Sequence, residues 1–403
     1  MTKTIFSDRV SISNENRLGQ LFANDLGQNG VCFSAGNPNP ALFPTVTMKQ
    51  AFTQVIDHHG AHLFEYQAVD GPFHLRELLA DRAQQTATIP ATAANVLLTQ
   101  GGQQAIDLVA RLFLNPGDEL AVEAPTYVGA LASFDQYAPR YHDVPMTRDG
   151  MDLDALEATL KQHPNIKLVY TVPDFHNPTG VTMPTENRKR LVALAEHYDV
   201  YIVEDTPYRD LRYTGHQLPA IKAFDTHDRV IFISSFSKIL MPGLRTGWII
   251  AGTAIIQKLR QLKETSDLES PAIMLQAITN YLDHGLLDEH IATLIPVYQQ
   301  RRDAMIAALT RFMPETVHYT TPAGGFFIWL TCPDDLDTTA LLTEISATAH
   351  VSFVPGQVFY AHQNVTNTLR LNFSGVTPAE ITSGIKRFGD ALTCQLTQSV
   401  LDQ

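Results

Sequence analysis

The chain has 403 residues, a formal net charge of −13 at pH 7, and 18% charged against 44% hydrophobic residues. That length exceeds the usual size of one hydrophobic core, so a large and a smaller domain are expected, and the composition excludes wholesale disorder. The acidic balance, without any basic run, argues against nucleic acid or an anionic membrane as partner, because phosphate binding needs clustered Lys and Arg.

The N-terminus, Met1 to Arg9, has no apolar stretch followed by a cleavage site. No segment approaches the roughly 18 apolar residues of a membrane span. Cys32, Cys332 and Cys394 are scattered, odd in number and without metal spacing; they read as reduced thiols of a cytoplasmic protein. None of the histidines forms a His-x-x-x-His pair on a recognisable helix, and the adjacent His58 and His59 point to different faces, so no metal centre is expected.

Short β-branched runs alternate with longer helical patterns through the middle of the chain, the signature of a largely parallel sheet covered by helices. Strands are expected at Asn95 to Leu98, Glu119 to Val122, Lys167 to Val172, Val200 to Val203, Val230 to Ile233 and Trp248 to Ala251. These are continuous apolar runs, as strands buried on both faces require. A helix follows Gly101-Gly102 and stops near Asn115-Pro116-Gly117-Asp118; another runs from about Thr185, capped by Thr185 and Glu186, to His197. Further on, one long helical pattern near Ala272 to Arg311 leads into the hinge Gly324-Gly325. Short strands at Val351 to Val354 and Thr368 to Phe373 then alternate with helices around Thr338 to Ala349 and Pro378 to Gln395. This last third reads as a separate α+β unit.

Four segments carry chemistry. Thr99-Gln100-Gly101-Gly102-Gln103 lies between a strand and a helix, where free N–H groups bind phosphate, although a glycine turn alone has the same appearance. The segment from Tyr170 to Asn177-Pro178-Thr179-Gly180 ends a buried strand on the side where open α/β sheets bind ligands, and Asn177 also fits a plain turn cap. Asp205 ends an apolar strand, where a carboxylate is costly unless paired; it suits either a helix cap or a protonated heterocycle nitrogen. Ser234-Ser235-Phe236-Ser237-Lys238 and Arg245 combine hydroxyls, a lysine and an arginine within 12 residues. They fit phosphate recognition and a Schiff-base lysine, or a solvated loop.

Taken together, these segments resemble the class I/II aminotransferases, which are pyridoxal 5'-phosphate (PLP) enzymes of fold type I. The branch most similar is the one handling aromatic, branched-chain and 2-aminoadipate substrates. Arg245 stands seven residues after Lys238, Asp205 33 before it, and Asn177 28 before Asp205, all in family order. The resemblance implies an α/β fold: a large domain at 46–295 with a mostly parallel seven-stranded sheet between helices, and a smaller α+β domain built from 1–45 and 296–403. It makes Lys238 the Schiff-base lysine and proton carrier and Asp205 the partner of the pyridine nitrogen. Asn177 and Tyr208 become donors to the cofactor phenolate, and Tyr127 stacks on the ring. Gly102, Gln103, Ser235, Ser237 and Arg245 form the phosphate set, in which Gly102 stands where the family more often has serine.

Tyr66 resembles the tyrosine that reaches the neighbouring subunit's phosphate, which implies a homodimer with shared active sites. Arg370, alternating with Leu369 and Leu371, resembles the arginine that binds the substrate carboxylate, although an edge-strand arginine gives the same pattern. Gly36 resembles the glycine beside that carboxylate, or a turn glycine. The implied activity is transfer of an amino group from an aromatic or branched-chain amino acid to a 2-oxo acid such as 2-oxoglutarate, in a ping-pong sequence. A PLP lyase or decarboxylase shares nearly the same motifs. The ligand-binding half of a transcription regulator is disfavoured, because the stretch before Gly36 is short and not basic. Arg17 is the only arginine near the position from which some members bind a distal carboxylate. Register against Phe33 puts Gly19 there instead, so neutral donors are expected.

Overall fold

The computed structural model describes residues 30–362 and 365–401, with the single positions 7, 9 and 26. Its strands in chain order are β1 (Val31–Cys32), β2 (Val96–Thr99), β3 (Glu119–Ala124), β4 (Arg140–Thr147), β5 (Gly150–Met151), β6 (Ile166–Thr171), β7 (Tyr201–Asp205), β8 (Val230–Ser235) and β9 (Gly247–Ile250). They continue with β10 (His318–Tyr319), β11 (Phe327–Thr331), β12 (Val351–Ser352), β13 (Val354–Pro355) and β14 (Thr368–Asn372).

The central sheet has the order β2-β9-β8-β7-β6-β3-β4-β5. Pairing is parallel from β8 to β4, and β9 runs antiparallel to both β8 and β2. The expected seven strands are present, and the two-residue β5 adds an eighth by pairing antiparallel with β4. Six strands were legible because both of their faces are buried. Leu120, Val122, Leu168 and Val203 pack with Ile106, Val109 and Leu259 of the helices 102–113 and 253–267. Ala121, Val144, Val169 and Ile202 pack on Leu153, Leu156 and Leu191 of the helices 153–162 and 185–198. β4 lies outside β3 and is mostly half-exposed, with polar residues and Pro145 breaking any apolar run.

Two expected helices differ in detail. The pattern from 272 to 311 is two helices, Ala272–Asp283 and Leu286–Phe312, separated at Gly285, whose φ is +69°. A glycine tolerates that left-handed conformation and so ends the first helix. The helix Thr185–Tyr198 has Pro184 at its N-cap and no side-chain cap, in place of capping by Thr185 and Glu186.

A second, antiparallel sheet has the order β10-β11-β14-β13, and β1 pairs in parallel with β12. The chain's N-terminal segment therefore joins its C-terminal third. The expected junction at 295/296 falls within the helix Leu286–Phe312, beside Pro296. No helix among the described residues is long and apolar enough to cross a membrane.

Candidate active site

The C-terminal ends of β2, β3, β6, β7 and β8 share one edge of the central sheet, and the antiparallel β9 starts there. The turns that follow converge on a pocket of about 210 Å³. Ten residues singled out in the sequence line it: Gly102, Gln103, Tyr127, Asn177, Asp205, Tyr208, Ser235, Ser237, Lys238 and Arg245. Ligand clefts at this edge are a general property of open α/β sheets.

At one end of the pocket, Gly102 and Gln103 begin the helix Gly102–Phe113, whose first N–H groups have no acceptor within the helix. The Ser235 hydroxyl donates to that of Ser237 at 2.9 Å and accepts from the Ser237 amide at 3.1 Å. Arg245 is exposed at the mouth, and its guanidinium reaches only the backbone carbonyls of Pro242 (3.3 Å) and Gln100 (3.0 Å). Two glycines permit this assembly. A Cβ on Gly101 (φ +81°) would stand 2.5 Å from the Arg245 guanidinium, and one on Gly247 would stand 2.8 Å from both the Gly101 carbonyl carbon and the Ser234 oxygen. The loops at 101 and 245 thus meet only because neither has a side chain between them.

At the other end, Asp205 is buried and accepts a 2.7 Å hydrogen bond from the Tyr170 hydroxyl. Burial pushes its carboxyl up to about 6, against the bond from Tyr170, which favours the anion. Lys238 is pushed down to about 8 by burial and by the charges of Arg370 and Arg245. Its Nζ donates to the Gly36 carbonyl at 2.8 Å and lies 5.9 Å from the centre of the Tyr208 ring. Burial holds the Tyr208 hydroxyl well above its ordinary range, so it remains a donor, and that of Tyr127 is pushed up to about 12.

Arg370 adjoins the pocket from β14, paired there with Trp329 of β11 and Val354 of β13. It occupies a central strand, which removes the edge-strand alternative. The side chain is 3% exposed, donates to Asn177 Oδ1 at 2.9 Å and to the Ser34 carbonyl at 2.8 Å, and lies between Phe327 (4.3 Å) and Phe359 (5.0 Å). Its Nε is buried without a partner. Burial lowers the guanidinium to about 10. Gly36 sits beside it, with 3.9 Å from its notional Cβ to the Arg370 terminal nitrogen.

Neither Arg245 nor Arg370 has a carboxylate partner among the described residues. A guanidinium without a counter-ion at each end, a pair of hydroxyls, helix-start amides and a lysine with a depressed pKa fit a phosphorylated heterocyclic aldehyde together with a carboxylate substrate. Tyr66 is not part of this pocket; its side chain is 86% exposed. Arg17 and Gly19 lie outside the described residues. Sequence reasoning missed Asn37, Ile106, Val172, Pro207 and Pro242, which also line the pocket, and the Tyr170 and Phe359 contacts. Tyr170 sits within a strand and reads as core, and Phe359 ends the short 3-10 helix Gly356–Phe359, which carries no motif.

The profile of the family described as Aminotransferase class I and II matches residues 25–388. The chain is 42% identical over 366 residues to the aromatic-amino-acid aminotransferase 1 of Thermococcus litoralis, covering 90% of this chain and 88% of that one. The structure of a multiple substrate aminotransferase from Thermococcus profundus is similar at a TM-score of 0.92 and 38% identity, over 98% of each chain. LysN, the alpha-aminoadipate aminotransferase of Thermus thermophilus, crystallised with N-(5'-phosphopyridoxyl)-L-leucine, is similar at a TM-score of 0.90 and 33% identity, over 98% of each chain. With that extent of match, the chain belongs to the class I and II aminotransferases, as a PLP-dependent amino-acid aminotransferase of fold type I.

Proposed function

We propose that this enzyme transfers the amino group of a neutral aromatic or branched-chain amino acid to a 2-oxo acid such as 2-oxoglutarate, in a ping-pong sequence. The observation that carries this reading is Arg370. It is a buried guanidinium without a counter-ion, flanked by two phenylalanines, beside a lysine whose pKa is depressed. Such a fork takes an α-carboxylate in bidentate geometry, and the flanking rings favour an apolar side chain. Lys238 and Arg245 line the pocket and Arg370 adjoins it, and among the described residues no further cation lines it to meet a distal carboxylate. The relative named for aromatic amino acids and the leucine adduct bound by LysN support this preference, whereas the name of LysN, an alpha-aminoadipate aminotransferase, speaks for a dicarboxylic donor.

Each residue has a proposed task. The cofactor, held by Gly102, Gln103, Ser235, Ser237 and Arg245 at its phosphate, supplies an electron sink for the substrate Cα. Asp205 would hold the ring nitrogen protonated, Asn177 and Tyr208 would donate to the phenolate, and Tyr127 would cover the ring. At pH 7 a group with a pKa near 8 is neutral in roughly 10% of molecules, compared with well under 1% for an ordinary lysine. Lys238 therefore serves as the amine that bonds the cofactor and afterwards as the base that takes the proton from Cα. The first product leaves before the second substrate arrives, which gives the ping-pong order. Phe64, Tyr66 and Phe73 are exposed and would be buried against a second copy, in which Tyr66 would serve the partner's phosphate end. The division into 46–295 and the remainder, and a cytoplasmic location, complete the reading.

A donor panel with 2-oxoglutarate as acceptor tests it. Phenylalanine and leucine are expected to give higher kcat/KM than 2-aminoadipate, with parallel reciprocal plots at varied acceptor. Faster turnover of 2-aminoadipate would overturn the neutral preference, and ammonia release without an acceptor would point to lyase chemistry.

A further inference from the structure

At the opposite edge of the central sheet, Glu119 opens β3, His142 lies on the neighbouring β4, and His163 follows the helix Leu153–Gln162 as its C-cap residue. In the β3–β4 ladder Ala121 pairs with His142, so Glu119, Ala121, His142 and Val144 share one face of the sheet. That face is covered by the helix 153–162, whose Leu153, Leu156 and Leu160 pack with Ala121 and Val144. The end of the helix therefore delivers His163 to the two strand residues, and the small Ala121 leaves room between them. Glu119 Oε2 is 2.9 Å from His142 Nε2 and 3.7 Å from His163 Nδ1, and the three atoms lie within 4.8 Å of one another. The two imidazoles lie against each other, with ring centres 4.0 Å apart.

We infer that Glu119, His142 and His163 form a site for one divalent transition cation of the zinc class. Two imidazoles and a carboxylate are borderline-soft N/O ligands that suit zinc rather than calcium or magnesium. Tetrahedral bonds of about 2.1 Å place ligand atoms about 3.4 Å apart, so the three atoms need shifts of no more than about 1 Å to bind. The side chains of Glu119 and His142 are 15% and 17% exposed and fixed on paired strands. That of His163, at 41%, leaves an open side for entry and for a water as fourth ligand. Among the described residues no lysine or arginine is ion-paired to the cluster: Lys167 is bound to Asp118 at 2.6 Å, and Arg140, across from Glu119 in the ladder, is exposed. A bound ion would tie the end of the helix to the end of the sheet.

The test is calorimetric titration of the chelator-treated, desalted holoenzyme with zinc, and visible absorption with cobalt(II) as probe. The parent is expected to bind one equivalent with an intense, tetrahedral-type cobalt spectrum. Glu119→Gln and His163→Ala are each expected to weaken binding at least about tenfold, the smallest loss usual even for groups that only support a ligand. Because the cluster lies at the far end of the sheet, the transamination rate of both variants should stay within about twofold of the parent, which also reports that they fold. Absence of saturable binding by the parent, or equal binding by parent and both variants, leaves the cluster as a hydrogen-bonded His–Glu pair and overturns the proposal.

Discussion

Asp174 and Asp205 are both buried acids at the ends of neighbouring strands, yet their surroundings act on them in opposite senses. Burial alone would raise Asp174, but Arg188 and Arg209 outweigh it and hold the carboxyl at about 2. Arg188 binds Asp174 at 2.7 and 3.2 Å, and Arg209 adds a contact at 2.8 Å. Asp205 has only the Tyr170 hydroxyl and is raised to about 6, and Lys238 in the same pocket is lowered to about 8. One region pairs its charges to hold a turn; the other keeps them apart, at a cost in stability, so that a ligand can complete them. Buried charge thus marks function here where it lacks a partner, and only three residues separate Asp174, in the paired cluster, from Asn177 in the pocket.

Substitutions can break or sharpen that contrast. Lys238→Ala should lower transamination by about 10⁴-fold or more, because it removes both covalent attachment and the proton carrier. It should also abolish the visible absorbance of the lysine-bound cofactor; colour retained through another lysine would refute the assignment. In the cofactor-free protein the same change should be stabilising. The folded-state pKa of Lys238 lies below its ordinary value, so its protonation opposes folding at and below pH 8. Asp174→Asn should do the reverse, destabilising the fold by about 3–5 kcal/mol in denaturant unfolding, because it strands buried guanidinium groups. With Asp174 depressed below its ordinary 3.8, its contribution is present above that pH and is lost only as pH falls towards 2. An Asp174→Asn protein as stable as the parent would erase the distinction between the two regions.

Tyr170→Phe is the finest probe. It removes one hydrogen bond to a charged group, worth about 1.5–3 kcal/mol, so turnover should fall at least about tenfold. Because that bond lowers the Asp205 pKa, its loss should move the acidic limb of the rate profile to higher pH. The stability of the cofactor-free protein should report the same titration with the corresponding sign. A raised Asp205 stabilises the fold below pH 3.8, and that stabilisation is lost as pH rises through about 6, or through a higher value in Tyr170→Phe.

The residues of the pocket were largely legible in the sequence because β6, β7 and β8 are mostly apolar runs and each is followed by a polar residue within a short turn. Asn177, Asp205 and Lys238 stand six, zero and three residues beyond the ends of β6, β7 and β8. The remainder depends on register, which local pattern does not encode. The Tyr170 hydroxyl reaches Asp205 across adjacent strands, Arg188 reaches Asp174 from a helix face, and His142 meets Glu119 through the pairing of β3 with β4, which carries no hydrophobic pattern. Tyr66 illustrates a different limit: the part proposed for it would require a second copy of the chain, which no pattern within one chain reveals.

The contact between Gly247 and Gly101 has a consequence for how this sequence can change over generations. A methyl group at 247 would strike the backbone at 101, and one at 101 would strike Arg245 while also demanding a left-handed conformation. Neither position has a neutral neighbour in sequence space, so drift around the anion-binding end must pass through other residues. Gly102 has nothing within 4 Å of its notional Cβ. It is the one glycine of the three at which a Cβ meets open space.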